Sequence, residues 1–96
     1  MFIIALTYLK PLAEIDSQLA AHRAFLREQY GVGMFLMSGR KVPRDGGIIL
    51  ANAETRAELE AVIACDPFYI AGMASYEVTE FVPTMTADAF AAFRED

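Results

Sequence analysis

The sequence predicts an α+β fold: a four-stranded antiparallel sheet in the order strand, helix, strand, strand, helix, strand, with both helices on one face. Three observations carry this. Strand-like runs rich in β-branched and aromatic residues alternate with two segments of helical apolar period, which stop at Gly31/Gly33 and at Pro67. The first and third strand-like runs are apolar on both alternating sides, which marks central strands. The chain has 96 residues, the length of one domain.

Phe2 to Leu9 is the first strand, closed by Lys10-Pro11, with Phe2, Ile4, Leu6 and Tyr8 on one side and Ile3, Ala5 and Leu9 on the other. From about Leu12 to Tyr30 the period becomes helical, and Ile15, Leu19, His22 and Leu26 form one stripe. His22 sits in the middle of that stripe. Met34 to Gly39 is the second strand. Arg40 to Arg44 is a basic connection, Asp45-Gly46-Gly47 a turn signal, and Ile48 to Ala51 the third strand. Thr55 and Glu58 form a capping box that opens the second helix, whose apolar face is Leu59, Val62 and Ile63. Pro67 stops it, and Asp66, preceding a proline, is expected to be extended. After a turn at Ile70-Ala71-Gly72, Met73 to Val82 is the fourth strand. In the tail from 83 to 96, Thr86 to Phe93 places Phe90 and Phe93 on one side of a short helix, a candidate docking segment at a dimer interface. The order is that of the ferredoxin-like, split βαβ topology.

Apolar residues make up 55% of the chain, above the usual share of roughly 45–50%. With both helices on one sheet face, that surplus needs cover on the other. A homodimer with its sheets packed face to face is the expected solution. The net charge of −5 argues against sequence-independent nucleic-acid binding. No apolar run reaches the roughly 18 residues of a membrane span, and Met1 is followed by a strand rather than a basic leader, so a cytoplasmic location is expected. One cysteine and one histidine leave no intrachain disulfide and no His-rich metal site. No phosphate loop or dinucleotide motif is present, so no cofactor is expected.

The topology brings candidate chemistry to one end of the domain. The second helix ends there at Asp66, and the second strand ends there at Ser38-Gly39. His22 lies about two turns below that end, facing the sheet. A carboxylate beside an imidazole can fix its tautomer and make it a better base. The same residues also fit a core histidine held by a backbone carbonyl, and an Asp that only ends a helix. Ser38 and the Gly39 amide can contact a substrate oxygen, or Gly39 can relieve a strand bend. Arg40, Lys41 and Arg44 can draw an anionic small molecule, or form a solvated loop. Phe68 and Tyr69 can line a pocket or anchor a turn. Cys65 reads as an inward-facing small apolar residue rather than a nucleophile.

A histidine midway along the first helix, Ser38-Gly39 ending the second strand, Gly46-Gly47 before the third, and Asp66-Pro67-Phe68 followed by Ala71-Gly72 together resemble the YCII-related family from Phe2 to about Pro83. The resemblance implies a dimeric α/β-barrel form of the ferredoxin-like fold. It implies a pocket with a catalytic His–Asp pair, here His22 and Asp66, and a cofactor-free enzyme. Ser38, Gly39, Arg40, Pro67 and Phe68 are the expected substrate contacts. One family relative is associated with dehydrochlorination of a chlorinated hydroxyquinol, and the wider fold group includes muconolactone isomerases and small monooxygenases. Most members have no assigned reaction. The leading expectation is a lyase- or isomerase-type acid–base enzyme acting on a small organic acid. The alternative is a non-catalytic homodimeric module that binds a small metabolite or supports a partner enzyme.

Overall fold

The sheet is assembled around β1 (Phe2–Tyr8), which pairs antiparallel with β3 (Gly46–Ala51) on one side and β4 (Ala74–Glu80) on the other. β2 (Phe35–Arg40) completes it at the edge beside β3, giving the order β2-β3-β1-β4. This computed structural model describes residues 1–95. With α1 (Leu12–Gly31) and α2 (Arg56–Ile63) as the connecting helices, the fold is the ferredoxin-like α+β arrangement, with β1 and β3 central.

Each strand contributes one face to the core, because alternate side chains point to opposite sides. Phe2, Ile4 and Leu6 of β1 and Ile49 and Ala51 of β3 are buried. They join Ile15 and Phe25 of α1 and Leu59 and Ile63 of α2 in one cluster. The other face of the sheet is less covered: Ile3, Ile48 and Met37 are exposed. Register places Ile3 opposite Leu50, Ala5 opposite Ile48, and Met37 opposite Leu50 on that face.

Helix α1 buries Ile15, His22 and Phe25, whereas Leu19 and Leu26 are half-buried. The expected stripe therefore omitted Phe25, whose ring packs edge-on against Phe35 at 5.8 Å between centroids. Helix α2 opens as expected: Thr55 is the N-cap and its Oγ1 accepts from the Glu58 amide at 3.1 Å.

Three expected features differ. Gly46 and Gly47 belong to β3 rather than to a turn. A Cβ on Gly46 would lie 1.8 Å from the Leu6 carbonyl oxygen, so this glycine serves close strand packing. Residues 67–70, read as a proline stop running into a turn, form a one-turn helix, α3 (Pro67–Ile70). Proline has no amide hydrogen to lose at the first helical position and its φ is already helical, so Pro67 starts a helix as well as ending one. Cys65 is exposed, not inward-facing. Beyond β4, a 3-10 helix runs over Asp88–Phe93.

Candidate active site

Asp66 is the N-cap of α3, extended at φ −68° and ψ 125°, as its place before proline dictates. Its side chain is not presented to solvent; the residue is 1% exposed. A buried carboxylate requires hydrogen bonds in place of its lost water. Three donors supply them. The Phe68 amide donates to Oδ1 at 3.0 Å, the Tyr76 hydroxyl donates to Oδ2 at 2.6 Å, and His22 Nδ1 lies 2.8 Å from Oδ1. An acceptor surrounded this way is the ionised form, so Nδ1 of His22 carries its hydrogen and donates it. In the neutral ring the lone pair is then on Nε2.

The imidazole is fixed on a second side. Its plane stacks on the Phe68 ring at 4.0 Å between centroids and 6° between planes. Phe68 itself is buried, with Tyr8 packed edge-on against it at 6.1 Å. α3 thus holds His22 twice, through the carboxylate at its cap and the ring at its second residue. Tyr76 comes from β4, where its Cα pairs with Leu6. Burial, and then the bond to Asp66 and its charge, push the Tyr76 phenol far above its ordinary range. It remains a protonated donor.

The remaining side of His22 meets a cavity of about 760 Å³ between α1 and the sheet. Leu6, Leu19, Leu26, Ile49 and Phe68 form apolar wall; Tyr8, Tyr30 and Ser38 add hydroxyls. Arg23 and Arg27 of α1, Arg40 at the end of β2 and Arg44 of the following loop also line it. Among the described residues Asp16 is the only acidic one in the lining, and it is paired with Arg44. The Tyr30 and Ser38 hydroxyls are hydrogen-bonded to each other across the cavity wall.

Of the residues singled out from sequence, His22, Ser38, Gly39, Arg40, Arg44 and Phe68 line this one cavity. Asp66 stands behind His22 rather than in the cavity. Pro67 is half-buried outside the lining and acts as the first residue of α3. Lys41 also lies outside; its Nζ donates to Thr7 Oγ1 at 3.2 Å. Sequence reasoning missed Tyr76, Tyr30, Arg23 and Arg27. The two arginines carried a legible signal: they lie four residues apart beside the His22 stripe, one turn from each other on the helix.

No curated protein matches the sequence. Among solved structures, the chain is similar to 5-chloro-2-hydroxyhydroquinone dehydrochlorinase from Burkholderia phenoliruptrix AC1100, in complex with 2,5-dihydroxybenzoquinone. The TM-score is 0.70 at 20% identity, over 84% of this chain and 93% of that one. At that identity the likeness establishes the fold. The YCII-related domain matches residues 1–82, and the chain belongs to that family.

Proposed function

We propose that this protein is a cofactor-free acid–base enzyme that acts on a small organic acid by elimination or isomerisation. The observation that carries the reading is the buried Asp66 carboxylate bound to His22 Nδ1, on a histidine that also lines the cavity. Nε2 removes a proton from a C–H made acidic by a neighbouring carbonyl or ring. The electron pair left behind forms a new double bond as a leaving group departs as an anion. In isomerisation it is instead reprotonated at another carbon by the imidazolium. Asp66 is the orienting partner that stabilises the cation. Ser38, the Gly39 amide and Arg40 are the polar substrate contacts, and Phe68 is the ring that supports the imidazole. The similar solved structure is named for a dehydrochlorination, an elimination of this kind.

The same reading includes a homodimer formed through the exposed sheet face, with the tail from 83 onward at the dimer interface; its residue 96 lies outside the described residues. Support comes from the apolar residues exposed there.

Proton abstraction can be read with candidate substrates chosen by their chemistry. A panel of unsaturated and halogenated small acids, together with 5-chloro-2-hydroxyhydroquinone, is incubated in deuterated buffer. NMR follows solvent deuterium entering the acidic position, and an electrode follows halide release. His22→Gln is expected to remove exchange and turnover by a factor of about 10²–10⁴, and Asp66→Asn to lower them by about 10². A folded His22→Gln protein with full activity would refute the assignment. A panel acid bound equally well by wild type and His22→Gln, with no exchange or turnover of any panel member in either, would identify a binding module.

A further inference from the structure

We propose that Arg23, Arg27 and Arg40 form a recognition site for a substrate carboxylate, so that the cavity selects organic acids over neutral molecules of the same shape. The inference rests on the acid–base reading for what then happens to the substrate. Its own basis is electrostatic and geometric.

The chain carries a net charge of −5, yet the cavity is lined by four arginines and one carboxylate. That carboxylate is already committed, since Asp16 pairs with Arg44. Among the described residues, Arg23, Arg27 and Arg40 make no ion pair. Low-dielectric walls on one side of such a cluster focus its field into the cavity.

The helix sequence makes the concentration more pointed. Asp16, Arg23, Arg27 and Tyr30 are separated by seven, four and three residues, so they run along one edge of α1. Arg23 and Arg27 are like charges at a spacing where repulsion destabilises a helix. Neither has an acidic residue three or four positions away; the neighbours at those spacings are leucine, alanine, tyrosine, glycine and each other. A solvated helix face would gain from an interspersed Glu or Asp. Arg40 supplies the third cation from the opposite wall. It lies two residues from Ser38, on the same side of β2, and its Cα partner in β3 is Gly47, which puts no side chain in its way.

The residue type is also selective. The chain's two lysines, Lys10 and Lys41, are both outside the lining. Guanidinium presents a planar fork that binds a carboxylate through two parallel hydrogen bonds and stacks on a planar ligand, which an ammonium does not. The helical rise separates Arg27 from His22 by roughly 7 Å along the axis. A single-ring acid spans that gap with its carboxylate on the arginines and a ring C–H near the imidazole. Three free cations predict that a dianion binds better than a monoanion.

The probes are benzoate, its neutral isostere benzamide, and the dianion phthalate, titrated by calorimetry or NMR into wild-type protein. Benzoate is expected to bind at least about tenfold tighter than benzamide, and phthalate tighter still, with both anions weakened as salt rises from about 0.02 to 0.3 M. R23Q, R27Q and R40Q should each weaken benzoate by about threefold or more and leave benzamide unchanged, and R27K should recover only part of the loss. Circular dichroism confirms that each variant is folded, and R27K serves where R27Q does not fold. His22→Gln should bind benzoate within about twofold of wild type, so recognition and catalysis are read separately. Equal affinity for benzoate and benzamide, arginine variants without effect, or no saturable benzoate binding up to about 50 mM would each overturn the proposal. If the arginine variants bind benzoate normally while His22→Gln still removes exchange, recognition falls and the acid–base reading stands.

Discussion

Asp66 is a charged group in a place where charge is costly. An ion taken out of water loses several kcal/mol of solvation unless other dipoles replace it. At Asp66 the replacements are the backbone amide two residues on, a phenol ten residues on, and an imidazole N–H 44 residues back in α1. The phenol has a measurable consequence. Burial, followed by the Asp66 hydrogen bond and charge, raises the Tyr76 pKa above the ordinary value of 10.0. The unfolded chain therefore releases this proton at a lower pH than the folded one. Above pH 10 the unfolded state binds fewer protons, so this group's contribution to stability, complete at neutral pH, declines as pH rises. Tyr76→Phe is expected to flatten the alkaline fall in urea midpoint between about pH 9.5 and 11.5. At neutral pH the same change should cost about 1–2 kcal/mol, because Oδ2 loses its donor. Parallel alkaline limbs in the two proteins would remove Tyr76 from this role. His22 and Asp66 could be read in the sequence because each sits at a local anomaly, a histidine on an apolar stripe and an acid before a proline. Tyr76 could not. Its place depends on β4 pairing with β1 so that Tyr76 meets Leu6, and that register is fixed by long-range packing.

At the level of elements, the geometry of the candidate site depends on α3 and on the entry into β3. Both differ from the sequence expectation for one reason: a residue type with two uses was assigned the more common one. Proline ends helices and also starts them, and here Pro67 separates α2 from α3 with Asp66 held between. Glycine pairs mark turns and also mark places where backbones pass closely. Gly46 is the second case, with the Leu6 carbonyl oxygen at 1.8 Å from where a Cβ would be. The obstacle is backbone in the central strand, which cannot rotate away as a side chain could. Gly46→Ala is therefore expected to destabilise by roughly 3 kcal/mol or more, read from urea denaturation. It should also disturb the cavity, since Gly46, Gly47 and Leu6 all line it. A variant within about 0.5 kcal/mol of wild type would show that β1 and β3 can separate without loss. The strand order itself was legible, because β1 and β3 are apolar on both sides and only central strands need to be.

For the whole molecule, the two faces of the sheet contrast sharply. One is covered by α1 and α2, with the cavity between α1 and the sheet. The other leaves Ile3 39% exposed, Ile48 41% and Met37 51%, on central and edge strands that face the same way. A contiguous apolar surface on a chain of 96 residues invites association. Two such sheets stacked about 10 Å apart would bury the face in the manner of a sandwich. A two-fold arrangement uses the same patch on both subunits, so one substitution acts twice. Ile3→Lys places two cations in the centre of that interface without touching the cavity, whose lining does not include Ile3. The variant is expected to sediment as a monomer at about 10 μM, and the wild type as a dimer. Since the chain's own core would remain intact, the monomer should keep its far-ultraviolet circular dichroism and bind benzoate in the arginine-lined cavity. A wild-type protein that stays monomeric up to about 1 mM would contradict the face-to-face dimer, and the exposed apolar face would then need a different partner.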